Sequence, residues 1–263
     1  MSDYKALFLD IDGTILTPDD TIEESTKAAV KQVKQKGLEV FLATGRPLHE
    51  IREIGQELQI ESFIGYNGAY AVHKGEDVFM ERMDSEMIQH FLNVAKEKGH
   101  EAVMYTNEKN VLTSNDSQVM EDFIQYFHLK HNVLYQSDYQ DQILGVSLLN
   151  LGKNDVALYE EGNNIHLSPI NVAGFKEHSY DVIRDEVNKG FAVQKVVDLL
   201  GFKPEEAIAF GDGMNDKEML SLVGAGFAMG NAHPDLFQYA KHKTTDVQNS
   251  GVFNGLKSLE LVE

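Results

Sequence analysis

The chain has 263 residues, of which 42% are hydrophobic and 25% charged, so it is predicted to fold into one or two domains and is not a disordered chain. With 23 Lys and Arg against 42 Asp and Glu, its formal net charge is −19, and no surface for nucleic acid or an anionic membrane is expected. It contains no cysteine, which excludes disulfides, thiolate metal sites and cysteine nucleophiles.

The N-terminal residues and the hydropathy of the whole sequence favour a soluble, cytoplasmic protein. No cationic segment precedes the first apolar run, and acidic residues interrupt that run, which is not the pattern of a secretory signal peptide. No apolar stretch of about 18 residues occurs, so no transmembrane helix is predicted.

The first third of the sequence alternates short apolar runs with amphipathic segments. The apolar runs at 4–11, 38–43 and 62–66 end in turn residues and are predicted as strands buried on both faces. Helices are predicted between them, at 22–36 and 47–58. Strands that alternate with helices indicate an α/β fold with a parallel sheet.

The middle of the sequence carries mixed signals. Helices are predicted at 84–98, 117–127 and 155–161. Strands are predicted at 102–105, 111–113, 143–151, 165–167 and 180–183. This mixture indicates an inserted α+β domain with an antiparallel sheet.

After residue 189 the alternation of strands and helices returns. Helices are predicted at 191–200, 214–223, 234–240 and 251–259, and strands at 207–210 and 225–229. We therefore predict a discontinuous Rossmann-like α/β core domain, residues 1–81 and 186–263, interrupted by an α+β domain at 82–185.

Polar side chains follow four of the predicted core strands. They are Asp10 and Asp12, then Thr44, then Asn67, and finally Asp212, Asn215 and Asp216. In open α/β sheets ligands bind beyond the carboxyl ends of the strands, so these groups are expected in one crevice. Two carboxylates about 4 Å apart repel each other by roughly 4 kcal/mol at an intermediate dielectric constant, so the cluster needs a cation. Ligands that are all oxygen atoms select a hard ion such as Mg²⁺.

The same groups suit phosphoryl transfer. A carboxylate can attack phosphorus, so Asp10 would form an aspartyl-phosphate while Asp12 protonates the leaving oxygen and later activates water. Mg²⁺ and Lys189 would offset the repulsion between carboxylate and phosphate. Thr44 and the backbone N–H groups beside it would hold phosphoryl oxygens.

The motifs and their order resemble those of the haloacid dehalogenase superfamily. The four matching segments are DIDGTI at 10–15, TGR at 44–46, NKG at 188–190 and GDGMND at 211–216. The long insertion after Asn67 and Gly68 resembles the class IIB cap of the Cof-type, sugar-phosphatase-like branch. The resemblance covers essentially the whole chain, and the ordered set of motifs is far more specific than any one of them.

The resemblance implies a catalytic role for four residues. Asp10 matches the nucleophile and a Mg²⁺ ligand, and Asp12 matches the acid/base whose backbone carbonyl lies on the metal. Thr44 matches the phosphate-binding hydroxyl, and Lys189 matches the lysine that neutralises the phosphate.

It also implies the remaining ligands of metal and substrate. Asp212 matches a direct metal ligand, while Asn215 and Asp216 match a polar pair that supports metal and phosphate, in an order left open. Gly45, Arg46 and Asn67 are candidate substrate contacts. The implied protein is a Mg²⁺-dependent phosphatase, monomeric or homodimeric, that acts on small phosphorylated metabolites such as sugar phosphates or phosphorylated cofactors.

The same residues also allow other functions. A phosphomutase on the same fold and a non-catalytic metal- or ligand-binding protein both stay open. A calcium loop fits poorly, because its glycine belongs at the sixth position and Gly13 is the fourth. The glycine-rich segment 224–230 is predicted as a turn rather than a dinucleotide-binding loop, and no P-loop motif occurs.

Overall fold

The computed structural model describes residues 4–160, 162, 164–170, 172 and 174–263. The chain divides into two compact units. The core unit contains the residues up to Arg46, Ile51–Phe79 and Asn188–Glu263, and the inserted unit contains Pro47–Glu50 and Met80–Val187. That the inserted unit acts as a cap stays a prediction.

The core unit is built around an eight-stranded sheet. Its strands are β1 (Ala6–Leu9), β2 (Glu39–Ala43), β3 (Phe63–Gly65), β4 (Tyr70–His73), β5 (Glu76–Met80), β12 (Ala207–Gly211), β13 (Ala225–Ala228) and β14 (His242–Lys243), numbered along the chain. Their order across the sheet is β14-β13-β12-β1-β2-β3-β4-β5. The strands from β14 to β3 run parallel, whereas β4 is antiparallel to β3.

The centre of this sheet explains the apolar runs in the sequence. Every residue of β1 is buried, and so is every residue of β12 beside it. A strand covered on both faces has no solvent side, so its sequence shows no alternation of polar and apolar residues. The predicted α/β class is therefore confirmed, although β4, β5 and β14 were not predicted and the sheet is mixed at one edge.

Helices cover the core sheet. They are α1 (Glu24–Gln35), α2 (Arg52–Leu58), α6 (Lys189–Leu199), α7 (Lys217–Leu222) and α8 (Gly251–Ser258). Three predictions were wrong in detail. The helix expected at 214–223 is a 3₁₀ turn at Met214–Asp216 followed by α7. The helix expected at 47–58 is a 3₁₀ turn at Leu48–Glu50 followed by α2, and the one expected at 234–240 is a 3₁₀ segment at Pro234–Gln238. Short helical segments commonly take the tighter 3₁₀ form.

The inserted unit holds a six-stranded sheet. Its strands are β6 (Glu101–Tyr105), β7 (Asn110–Leu112), β8 (Asn132–Leu134), β9 (Gly145–Leu149), β10 (Ile165–Pro169) and β11 (Ser179–Arg184), in the order β10-β11-β9-β6-β7-β8. Its helices are α3 (Ser85–Lys98), α4 (Gln118–Tyr126) and α5 (Ala157–Glu160). The predicted α+β character is present, but β8 was missed and pairs in parallel with β7. Residue 161, the last of one predicted helix, lies outside the described residues.

Local sequence signals set the ends of α3. The Asp84 side chain accepts hydrogen bonds from the first-turn N–H groups of Glu86 and Met87, and Gly99 ends the helix at a positive φ of 71°. No helix in the described part of the chain has the length and hydropathy needed to cross a lipid bilayer.

Candidate active site

Two adjacent parallel strands bring the central acidic groups together. Asp10 follows β1 and Asp212 follows β12, and the Asp10 N–H donates to the carbonyl of Phe210 at the end of β12. Because parallel strands end at the same edge of a sheet, residues about 200 positions apart become neighbours there. One carboxylate oxygen from each of Asp10, Asp212 and Asp216 lies within 4.8 Å of the other two.

Lys189 enters this cluster from the first turn of α6. The Asn188 side chain caps the helix by accepting a hydrogen bond from the N–H of Phe191 at 2.9 Å. The Lys189 side chain is fully buried, and its Nζ lies 2.5 Å from Asp10 Oδ1 and 2.6 Å from Asp216 Oδ1. A buried ammonium group is thus shared between two buried carboxylates.

A glycine makes room for the start of α6. Gly68 has a φ of 104°, and a Cβ at this position would lie 2.2 Å from the carbonyl oxygen of Asn188. A side chain at residue 68 would therefore displace the backbone that carries Lys189.

Asp216 holds the loop that carries Asp212. Its Oδ2 accepts hydrogen bonds from the backbone N–H groups of Asp212 and Gly213, each at 3.0 Å, while its Oδ1 accepts from Lys189. Both Asp216 oxygens are therefore already engaged within the protein.

The electrostatics of the cluster favour a bound cation. Burial and the nearby charge of Asp216 raise the pKa of Asp10 well above its usual value, and the same two causes raise the pKa of Asp212 to about 6. Burial alone would lower the pKa of Lys189, but Asp10 and Asp216 raise it. Three carboxylates and one ammonium carry a formal charge of −2, which fits a divalent ion with hard oxygen ligands.

The Asp12 side chain points to a different partner. Arg46 binds it with two parallel hydrogen bonds, from Nε to Asp12 Oδ2 at 2.9 Å and from the terminal nitrogen to Oδ1. Both side chains are partly exposed. Burial lowers the pKa of Arg46, but the hydrogen bonds and the charge of Asp12 raise it, and the pKa is raised overall. The backbone N–H of Arg46 in turn donates to Oγ1 of the buried Thr44 at 3.1 Å.

A left-handed turn positions Asn67. Tyr66 and Asn67 have φ angles of 54° and 52°, and their N–H groups donate to the carbonyls of Arg46 and Thr44. The Asn67 amide oxygen accepts a hydrogen bond from Asn215 Nδ2 at 3.0 Å. A Cβ on Gly45 would lie 3.0 Å from the same oxygen, so the turn packs closely on the loop after β2.

A cavity of about 340 Å³ adjoins Asp12 within the core unit. Its lining includes Asp20 and Asp246 as well as Asp12 and Asn231. Because these carboxylates repel anions, a phosphate or carboxylate group would be disfavoured there.

The structure gathers every predicted site residue of the core unit at one edge of the sheet, but in three groups. The charged cluster contains Asp10, Asp212, Asp216 and Lys189. Asp12 pairs with Arg46, whose backbone N–H donates to Thr44, and Asn67 pairs with Asn215 beside Gly45. The roles of these residues stay predictions.

Two contacts of Asp212 were missed by the sequence analysis. Thr14 Oγ1 donates to Asp212 Oδ1 at 3.3 Å, and Asn231 Nδ2 lies 3.3 Å from Asp212 Oδ2. Asn231 follows β13, at the same strand edge as the predicted groups, and that position was the available signal.

Comparisons with known proteins identify the family of this chain. A family model described as haloacid dehalogenase-like hydrolase matches residues 7–256. YkrA of Bacillus subtilis is 30% identical over 261 residues, or 99% of this chain and 100% of YkrA. Its name describes it as a phosphatase. The 5-amino-6-(5-phospho-D-ribitylamino)uracil phosphatase YitU of the same species is 29% identical over 265 residues, or 95% of each chain.

A solved structure shows the same fold. It is described as the subclass IIB sugar phosphatase BT4131 and matches with a TM-score of 0.82 and 23% identity over 98% of this chain and 100% of that one. This likeness confirms the predicted α/β core with an α+β insertion of the IIB type.

Proposed function

This chain is an enzyme of the haloacid dehalogenase-like hydrolase family, and from that membership we propose that it hydrolyses phosphoric monoesters with Asp10 as the nucleophile. One observation carries the proposal. The buried Asp10 carboxylate contacts the buried ammonium of Lys189, while Asp12, two residues later, keeps its carboxylate outside this cluster. This separation supports a division of roles, in which one carboxylate attacks phosphorus and the other transfers protons.

The proposed reaction has two steps. An Asp10 oxygen attacks phosphorus and the bond from phosphorus to the ester oxygen breaks. Asp12, in its acid form and released from one contact with Arg46, gives its proton to the leaving oxygen. Asp12 then takes a proton from water, which attacks the phosphorus of the aspartyl-phosphate. Inorganic phosphate leaves and the Asp10 carboxylate is restored.

Lys189 and Thr44 would stabilise the phosphoryl group. The Lys189 ammonium offsets the repulsion between the Asp10 carboxylate and the phosphate dianion, and its buried position keeps the interaction strong. Thr44 Oγ1 and the backbone N–H of Gly45 would supply hydrogen-bond partners for phosphoryl oxygens, since the N–H groups of Thr44 and Arg46 already donate within the protein.

Asp10, Asp212 and the backbone carbonyl of Asp12 would hold a divalent cation, which we propose to be Mg²⁺. When bound, it withdraws negative charge from the phosphoryl oxygens. We assign Asp216 to positioning the loop, since Lys189 and two backbone N–H groups already occupy its oxygens. Asn215 would contact the metal or a water bound to it through its amide oxygen, because its Nδ2 donates to Asn67.

The proposed substrates are small phosphorylated metabolites with one phosphate group. The acidic lining of the cavity beside Asp12 supports a leaving group that carries hydroxyl or amino groups rather than a second phosphate. The name of YitU points to one such class, a phosphorylated polyol joined to a nitrogen ring.

The test is release of inorganic phosphate from a panel of sugar phosphates, pyridoxal phosphate and nucleoside monophosphates, with Mg²⁺ and with EDTA. We expect release that depends on Mg²⁺ for the wild type and none for Asp10→Asn. Asp198→Asn is the matched control, since it makes the same charge change on the exposed side of α6. Activity retained in Asp10→Asn contradicts the proposal, and an isomeric phosphate ester without free phosphate indicates a phosphomutase.

A further inference from the structure

Asn231 joins three segments that are distant in sequence. Its Nδ2 donates to the carbonyl oxygen of Gly13 at 2.8 Å and to Asp212 Oδ2 at 3.3 Å. Its Oδ1 accepts a hydrogen bond from the backbone N–H of Val247 at 2.9 Å. The side chain is exposed to solvent, so it is not held there by packing in the hydrophobic core.

The partners fix the orientation of this amide. Val247 offers an N–H donor, whereas Gly13 and Asp212 offer oxygen acceptors. A flipped amide would place its oxygen against two oxygens and its NH₂ group against an N–H, so only the observed orientation satisfies all three contacts.

The Asp212 carboxylate is held from both sides by neutral donors. Thr14 Oγ1 donates to Oδ1, and Asn231 Nδ2 donates to Oδ2. The Gly13 backbone packs directly on the same carboxylate, because a Cβ on Gly13 would lie 2.2 Å from Asp212 Oδ2. Rotation of this carboxylate away from Asp10 would therefore break contacts on either side.

The neutrality of these donors matters for the charge of the cluster. Lys189 already offsets one of the three negative charges through its ion pairs with Asp10 and Asp216. A cationic side chain at residue 231 would compensate a second one and compete with a divalent ion for Asp212. An amide orients the carboxylate without that competition.

We propose that Asn231 is a positioning residue that holds Asp212 in the orientation required to bind a divalent cation. The inference rests on the proposed function only in assigning Asp212 to the metal. Groups that orient metal ligands typically contribute about 10- to 100-fold in metal affinity. Because the contact with Asp212 is long, we expect an effect near the lower end of that range.

The test measures metal affinity directly, without turnover. Mn²⁺ is titrated into the full-length protein and followed by electron paramagnetic resonance, with Mg²⁺ added as a competitor. For Asn231→Ala we expect the dissociation constant of Mn²⁺ to rise about tenfold. The Mg²⁺ concentration that gives half of the maximal rate should rise in this variant. The catalytic rate at saturating Mg²⁺ should change by a much smaller factor.

Asn254→Ala is the matched control. Asn254 is also exposed, and its amide donates to Thr245 Oγ1 and to the carbonyl of Asn249, in the same C-terminal segment that Asn231 reaches through Val247. It has no contact with Asp212 among its hydrogen bonds. An equal loss of metal affinity in Asn231→Ala and Asn254→Ala would show a general effect of that segment and overturn the inference.

Thr14→Val supplies a second, nearly isosteric variant. It removes the other neutral donor to Asp212 and should also weaken Mn²⁺ binding. Since both side chains hold one carboxylate, the double variant is expected to differ from the product of the single effects. Unchanged Mn²⁺ affinity in Asn231→Ala overturns the inference. A wild type that binds Mn²⁺ but releases no phosphate contradicts only the proposed function.

Discussion

Lys189 Nζ lies 2.5 Å from Asp10 Oδ1, although the two residues are 179 positions apart in the sequence. Both side chains are almost completely removed from solvent, and Asp216 shares the same ammonium. A buried charge that loses its partner keeps its full desolvation cost. The stability of the core unit and the chemistry of the site therefore depend on the same few atoms.

Replacing Lys189 by Met should destabilise the protein by about 3–5 kcal/mol, because Asp10 and Asp216 would be left buried without their cation. The free energy of unfolding in urea at neutral pH, with EDTA, measures this. Lys217→Met is the control, since Lys217 is partly exposed and pairs with Glu218 at 3.4 Å. A loss of less than about 1 kcal/mol, typical of surface positions, would contradict the prediction.

Asp10→Asn should abolish phosphate release without destabilising the metal-free protein. The raised pKa of Asp10 means that its surroundings favour the uncharged carboxyl, and an amide resembles that form in size. Thermal unfolding in EDTA should therefore give a midpoint equal to or above that of the wild type. A lower midpoint together with lost activity would indicate a damaged fold rather than a missing nucleophile.

Metal binding should weaken as the pH falls through about 6, because the Asp212 pKa is raised to about 6 and protons then compete with the cation. The observable is the Mn²⁺ dissociation constant between pH 5 and 7.5, which should rise at the acidic end. An affinity that is constant over this range would be inconsistent with the raised pKa.

The metal-free protein should show the opposite trend in stability. A carboxyl whose pKa is higher in the folded state than its ordinary value of 3.8 contributes stability when protonated, and this contribution is lost as the pH rises from about 4 to about 6. In EDTA, the unfolding free energy of the wild type should therefore fall relative to that of Asp212→Asn as the pH rises from about 4 to about 6.

Gly68→Ala should be much more damaging than Gly75→Ala. Both glycines have a positive φ, of 104° and 83°, so each substitution carries the same kind of backbone strain. A Cβ at residue 68 meets the Asn188 backbone at 2.2 Å, while one at residue 75 meets nothing within 4 Å. We expect about 1–3 kcal/mol of additional destabilisation and a loss of activity for Gly68→Ala. Equal effects on unfolding in urea would show that the contact with Asn188 is unimportant.

The sequence predicted the parts of the fold where burial is extreme. β1 and β12 are buried on both faces and read as continuous apolar runs, so their position and their polar ends could be inferred. The two-residue β14 and the three-residue β8 were missed, since such short strands leave almost no periodic pattern. Strands β4 and β5 join the sheet edge through pairing that local sequence does not specify.

The candidate site also contains residues that the sequence could identify and contacts that it could not. Residues within recognisable motifs, such as Asp10, Lys189 and Asp212, could be named in advance because their chemistry and spacing belong together. Asn231 could not, because its contacts with Gly13 and Asp212 arise only when β13, β12 and β1 lie side by side. The pairing of Asp12 with Arg46 is likewise a side-chain geometry that sequence spacing does not define.

The position of β1 between β2 and β12 imposes an order on biosynthesis. When the first three strands have left the ribosome, one whole edge of β1 lacks its partner until residues 207–211 are translated, about 140 residues after the end of β3. The nascent chain therefore carries an unpaired, apolar strand edge for most of its synthesis, the kind of edge that promotes aggregation. Translation that stops before β12 would leave this edge open, and slow elongation would lengthen the period in which a chaperone must protect it.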